Sequence, residues 1–146
     1  MEPAKFFTTE EKERILKAIK DAEKKTSGEI RVHIENRCPG DVLDRAAYIF
    51  EKLGMHKTKE RNGVLFYLAI AERKFAVIGD VGINTVVPEE FWESIKNIME
   101  EKFKNYQFTE GLIEGINEIG KKLKEYFPYK SDDVNELPDE ISFSKH

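Results

Sequence analysis

Between Val64 and Ala71 the chain is apolar at almost every position, and this run constrains the fold more than any other. A strand with one wet face alternates polar and apolar residues, so an unbroken apolar run belongs at the centre of a sheet covered on both sides. It is far too short to cross a bilayer as a helix. Ala71-Glu72-Arg73-Lys74 is short enough to turn a hairpin, which makes Phe75 to Gly79 the antiparallel neighbour.

Upstream, Glu29 to Glu35 alternates strictly, with Ile30, Val32 and Ile34 on one face and Arg31, His33 and Glu35 on the other. That pattern predicts a half-buried strand. Between the two strands, Asp41 caps a helix whose Leu43, Ala46, Ala47, Phe50 and Leu53 point inward, and Gly54 ends it. Strand, helix and strand in succession predict a parallel pair joined by a right-handed crossover.

A first helix is predicted over roughly residues 9–25, opened by Thr8, Thr9, Glu10 and Glu11. Pro88 suits the first turn of a third helix bearing Phe91, Trp92, Ile95, Ile98, Met99 and Phe103, a stripe that reads as core. Thr109 is the expected cap of a fourth, which Pro128 ends. Residues 1–128 therefore form one α/β domain. Residues 129–146 read as an acidic, flexible tail around Asp132, Asp133, Glu136, Asp139 and Glu140, with Ile141 and Phe143 as its anchors.

The net charge of -4 argues against nucleic acid as a partner, since a phosphate backbone asks for a basic face. Lys57, Lys59 and Arg61 are the one compact basic cluster. Cys38 stands alone, which excludes an internal disulfide or a cysteine zinc cluster and suits an inert thiol. The first residues lack the apolar core of a signal peptide. These features predict a soluble chain in a cytoplasmic setting with no membrane insertion, where any membrane role comes through a protein partner. The abundance of Lys and Glu resembles the bias of heat-loving organisms.

If the hairpin forms, the start of the second strand and the exit of the third are neighbours. Glu29, His56, Glu60, Arg61, Asn62, Asp80 and Asn84 then gather at one end of the sheet, and Glu35, Asp41 and Glu72 lie at the other. Asp80, Asn84, Asn62 and Glu60, with backbone carbonyls and water, are the candidate ligands of a hard cation such as calcium or magnesium. The ordinary alternative is that Asp80 and Asn84 satisfy turn amides. His56 and Arg61 are the candidate ligand-binding residues: His56 as acid, phosphate contact or metal ligand, and Arg61 as an anion clamp. Against these stand a backbone-bonded loop histidine and a solvated basic loop. His33 is expected to be solvated or covered by a helix, and no second histidine stands at zinc-ligand spacing. A phosphate-cradling glycine loop and a Gly-x-Ser-x-Gly elbow are both missing from the sequence.

Four segments carry a family resemblance: Thr26-Ser27-Gly28-Glu29-Ile30, Leu53-Gly54-Met55-His56, Arg61-Asn62-Gly63-Val64-Leu65 and Asp80-Val81-Gly82-Ile83. Over roughly residues 8–128 the chain resembles the TPM domain family, which includes a thylakoid lumen acid phosphatase linked to photosystem repair and many bacterial proteins. The resemblance implies a three-layer α/β/α sandwich: a small mixed sheet with a βαβ unit, then an antiparallel hairpin, and helices on both faces. It also implies a divalent cation, usually calcium, held by acids near one end of the central strands, and phosphatase activity as claimed for some members. Many members carry Gly-Tyr-Gly-Leu-Glu after the third strand and an Asp soon afterward. Here the run is Asp80-Val81-Gly82-Ile83-Asn84, and Val87-Pro88 stands near the later acid's place. Two functions are carried forward. One is a binding or accessory module serving a membrane-associated complex. The other is a metal-assisted acid phosphatase.

Overall fold

The computed structural model describes residues 2–130, 137 and 140–144. Four strands, β1 (Glu29–Glu35), β2 (Gly63–Ala69), β3 (Lys74–Gly79) and β4 (Ile141–Phe143), form one sheet in the order β3-β2-β1-β4. β2 runs parallel to β1, with Gly63 opposite Glu29, and antiparallel to β3, with Val64 opposite Gly79. The helices are α1 (Thr9–Glu23), α2 (Val42–Lys52), the single turn α3 (Val81–Asn84), α4 (Glu93–Lys104) and α5 (Phe108–Leu123). The three-layer sandwich, the βαβ unit and the hairpin are all present.

The two faces divide cleanly by residue parity. Ile30, Val32 and Ile34 of β1 and Val64, Phe66 and Leu68 of β2 pack in one cluster with the apolar stripes of α1, α4 and α5. Leu65, Tyr67 and Ala69 of β2 join Ala76 of β3 against Ala46, Ile49 and Phe50 of α2. Every residue of β2 is buried, as its continuous apolar run requires. Each large side chain so covered contributes about 1.5–3 kcal/mol.

α1 opens with a capping box. Thr8 Oγ1 accepts the Glu11 amide at 3.0 Å, and Glu11 Oε1 accepts the Thr8 amide at 2.9 Å. The Thr8 N–H, helped by the Thr109 hydroxyl, holds the Glu11 carboxyl below its usual range. Thr8→Ala is expected to cost about 1 kcal/mol, read as a lower urea midpoint, because it deletes the hydroxyl that accepts the Glu11 amide.

Several local expectations are corrected. β1 is buried along its whole length, not on one face only, because Arg31, His33 and Glu35 are matched by Glu140, Ser142 with Ser144, and Arg45. Pro88 does not begin an α-helix: it precedes a 3-10 turn, Glu89–Trp92, and α4 starts at Glu93. Thr109 does not cap α5, which begins one residue earlier; its hydroxyl donates to Glu11 Oε2 at 2.8 Å. The Asp80 exit is the N-cap of α3, a turn the sequence pattern did not suggest.

The acidic C-terminal segment returns to the sheet. Ile141, Ser142 and Phe143 pair in parallel with Val32, His33 and Ile34, making β4 an edge strand beside β1. Leu137 is buried with Cys38, Ala46 and Ile49. Ile141 and Phe143 do act as anchors, half-buried against the main core. The flexibility expected of this tail falls largely on residues 131–136, 138–139 and 145–146, outside the described ones. Among the described residues, no helix is long and apolar enough to cross a membrane.

Candidate functional site

Strand direction decides what meets what. Because β1 and β2 start at the end where β3 finishes, the loop at 58–62 and the turn at 80–84 are held against each other. Asn62 O accepts the Glu29 amide at 3.2 Å, Gly63 O accepts the Asp80 amide at 3.0 Å, and Arg61 O accepts the Gly82 amide at 2.9 Å. Arg61 takes a left-handed φ of 51° in this clasp. Its guanidinium closes a two-point ion pair on Asp80, with Nε 2.7 Å from Oδ2 and Nη2 2.9 Å from Oδ1. The Asp80 carboxylate raises the Arg61 pKa above its already high value.

Asp80 has little left to offer a ligand. Besides Arg61 it accepts the Val81 amide at 2.8 Å, capping α3. Asn84 is spanned as well: Nδ2 donates to Gly79 O at 2.9 Å, and Oδ1 accepts the Trp92 indole N–H at 3.1 Å. Asp80 satisfies a turn amide, the role weighed in the sequence, whereas Asn84 satisfies a turn carbonyl and an indole N–H.

Glu60 and Asn62 make a different corner. Ser27 Oγ donates to Glu60 Oε2 at 3.1 Å, and Asn62 Nδ2 reaches Ser27 Oγ at 3.4 Å and Glu60 Oε2 at 3.5 Å, both long. Asn62 is only 1% exposed, yet its Oδ1 is buried with no hydrogen-bond partner. A buried carbonyl oxygen left unmatched costs roughly 1–3 kcal/mol, which makes it a place that welcomes a donor or a cation. Ser27 was not singled out as a site residue in the sequence; its place two residues before Glu29, which pairs with Gly63, was the signal.

His56 follows Gly54 in a 3-10 turn, Met55–Lys57. Its Nδ1 is buried without a partner, and among the described residues no hydrogen bond joins it to Arg61, Asn62 or Asp80. The expected convergence thus unites Ser27, Glu60 and Asn62 on one side and Arg61 with Asp80 on the other. Among the described residues, no group of three or more His, Cys, Asp or Glu is arranged to hold a metal ion.

A second polar assembly lies under α2. Glu35, with no exposed side-chain area, takes Arg45 Nε at 2.9 Å and Nη2 at 2.7 Å and also accepts the Tyr67 and Ser144 hydroxyls. His33 is 4% exposed, covered by the sheet's neighbours; its Nδ1 is 2.7 Å from Ser142 Oγ and Nε2 is 3.3 Å from Ser144 Oγ. Burial pushes the Glu35 carboxyl up, but bonds from His33, Arg45, Ser144 and Tyr67 outweigh it and hold it well below the usual range. Burial, and then the neighbouring Glu35, drive the Tyr67 hydroxyl far up. Nearby, Glu72 Oε1 accepts the Cys38 amide at 2.6 Å.

Residues 1–122 match the family described as TPM domain. The BA42 protein of the psychrophilic bacterium Bizionia argentinensis, solved by NMR, is 48% identical and superimposes with a TM-score of 0.92, over 96% of this chain and 97% of that one. The N-terminal domain of the cg2496 protein of Corynebacterium glutamicum is 14% identical with a TM-score of 0.65, over 97% of this chain and 82% of that one. An N-terminal domain from P. gingivalis is 19% identical with a TM-score of 0.67, over 85% and 80%. At those identities the last two are similar in fold alone. Among curated proteins, none matches the sequence.

Proposed function

The chain belongs to the TPM domain family, and from that premise we propose that it is a binding module in which the Ser27–Glu60–Asn62 corner takes a divalent cation. One observation carries the reading: Asn62 Oδ1 is buried without a partner on an amide whose other branch, Nδ2, reaches the Glu60 carboxylate and the Ser27 hydroxyl only at long distance. Hard cations such as calcium and magnesium seek oxygen alone. With the Asn62 amide turned over, so that Oδ1 takes the place of Nδ2, the Glu60 carboxylate, Asn62 Oδ1 and Ser27 Oγ would hold the ion, with backbone carbonyls and water completing the shell. Asp80 and Asn84 fit the direct-ligand role poorly, being engaged by Arg61, Val81, Gly79 and Trp92. Their part is to fix the loop. A bound cation would supply a positive charge that ties the 58–62 loop to the start of β1 and faces an acidic protein partner, such as a subunit of a membrane-associated complex.

With one full carboxylate among the three donors, affinity is expected to be weak, about 10⁻⁴–10⁻³ M for calcium. Isothermal calorimetry with calcium and then magnesium chloride tests this, using the native chain and Glu60→Gln. The variant should bind at least about tenfold more weakly, since it deletes the corner's charge. Heat-silent titrations with both cations, or equal affinity in the variant, would sink the proposal.

The phosphomonoesterase reading rests on Arg61 as an anion clamp, and that guanidinium is committed to Asp80. Hydrolysis of an aryl phosphate by the native chain, abolished in Glu60→Gln, would reverse the ranking of the two.

A further inference from the structure

A cleft of about 420 Å³ opens between α2 and β4, lined by His33, Arg45, Tyr48, Lys52, Ser142 and Ser144 with an apolar wall of Ile49, Leu53 and Phe143. That volume is in the range of small-molecule sites. We infer that it is a binding site for a small oxyanion borne on an apolar or aromatic body, a carboxylate or a phosphate monoester. It shares no residue with the Ser27–Glu60–Asn62 corner.

Charge, rigidity and shape agree on that chemistry. Arg45 and Lys52 line the cleft, and among the described residues no carboxylate does. Glu35 lies beneath, wholly buried, and it grips one edge of the Arg45 guanidinium at two points. As Asp80 does for Arg61, Glu35 balances the charge of Arg45; it fixes the guanidinium with Nη1 outside the pair, and Lys52 supplies the net positive charge of the cleft. Tyr48 is 56% exposed, which leaves its ring open to a ligand. Arg45 Cζ stands 5.2 Å and Lys52 Nζ 5.9 Å from its ring centre. Two cations around one open ring form a seat for a flat apolar group with a negative end. Opposite, Ser142 and Ser144 stand beside the two nitrogens of His33, their hydroxyls donating to Val32 O and Glu35, and form a neutral wall. Free anions without an apolar body would leave the Ile49, Leu53 and Phe143 wall unused.

Amide and arginine side-chain NMR spectra of the full chain, titrated separately with benzoate, phenyl phosphate and inorganic phosphate, test the site. Benzoate or phenyl phosphate should move the His33, Ser142, Ser144 and Arg45 Nε signals. Whichever moves them at lower concentration identifies the acid group. Lys52→Glu should weaken that binding about tenfold and Tyr48→Ala about fivefold. Both side chains are exposed, so the variants keep the native spectrum elsewhere. Silence with all three probes overturns the inference, as do shifts undiminished in both variants. Inorganic phosphate binding as tightly as phenyl phosphate overturns the apolar half of it.

Discussion

Arg45→Ala should lose about 3–5 kcal/mol of stability. The reason is what stays behind. Glu35 has no exposed side-chain area, so removing the guanidinium leaves a carboxylate in the interior with only His33, Tyr67 and Ser144 around it. The attraction lost is not the whole cost, because water cannot replace the missing partner. Replacing both members, as in Glu35→Gln with Arg45→Met, should therefore recover most of the loss, since neither residue then needs a charge balanced. The pH dependence follows with a fixed sign. The folded-state pKa of Glu35 is lowered from its ordinary 4.5, so the native state gains from the ionised form. That gain is complete above the unfolded-state value and drains away as pH falls below it. Urea midpoints measured from neutral pH down to about pH 3 should fall more steeply for the native chain than for the double variant. An Arg45→Ala protein within about 1 kcal/mol of the native one would mean that the pair does not form in solution.

That assembly also shows where reading a sequence succeeds and where it stops. β2 was legible because its apolar run leaves only one place for it, and chain direction follows from a hairpin four residues long and a crossover helix. Those two facts were enough to bring Asn62 and Asp80 to one end of the sheet, and they do meet there through Gly63 and Arg61. β1 departs from its pattern, since alternation by itself predicts water on one face. Arg31, His33 and Glu35 are polar but buried, each matched by a partner distant in sequence: Glu140, Ser142 with Ser144, and Arg45. A parallel strand beside a fully apolar one must itself be covered, and that rule was the available clue. β4 was out of reach because three ordinary residues in an acidic segment carry too little period to declare a strand; side-chain ties to His33 and Glu35 accompany its pairing. Asp80 illustrates the other failure. Its carboxylate suggests a ligand in sequence, whereas a guanidinium nineteen residues away, Arg61, takes it at two points.

Gly82→Ala is expected to cost about 2–4 kcal/mol, through steric conflict that no rotamer can relieve. A Cβ at this position would sit 2.1 Å from Glu60 O and 2.5 Å from Arg61 O, both main-chain atoms. The first turn of α3 would have to withdraw from the 58–62 loop. Withdrawal breaks the Gly82 N–H bond to Arg61 O and pulls Asp80 away from the guanidinium it holds. It also frees Arg61 from the left-handed conformation that this clasp maintains, which L residues otherwise avoid by about 1–2 kcal/mol. Gly40→Ala is the control. Its φ of 81° makes alanine strained, yet a Cβ there meets nothing within 4 Å, so only the conformational cost of about 1–2 kcal/mol remains. Urea unfolding should rank the two variants in that order, and the Arg61 Nε–H signal should shift in Gly82→Ala alone. If the 58–62 loop also holds Glu60 and Asn62 for a cation, Gly82→Ala weakens calcium binding while Gly40→Ala leaves it intact. Equal losses of affinity in both would separate the clasp from the site and place the binding elsewhere on the chain.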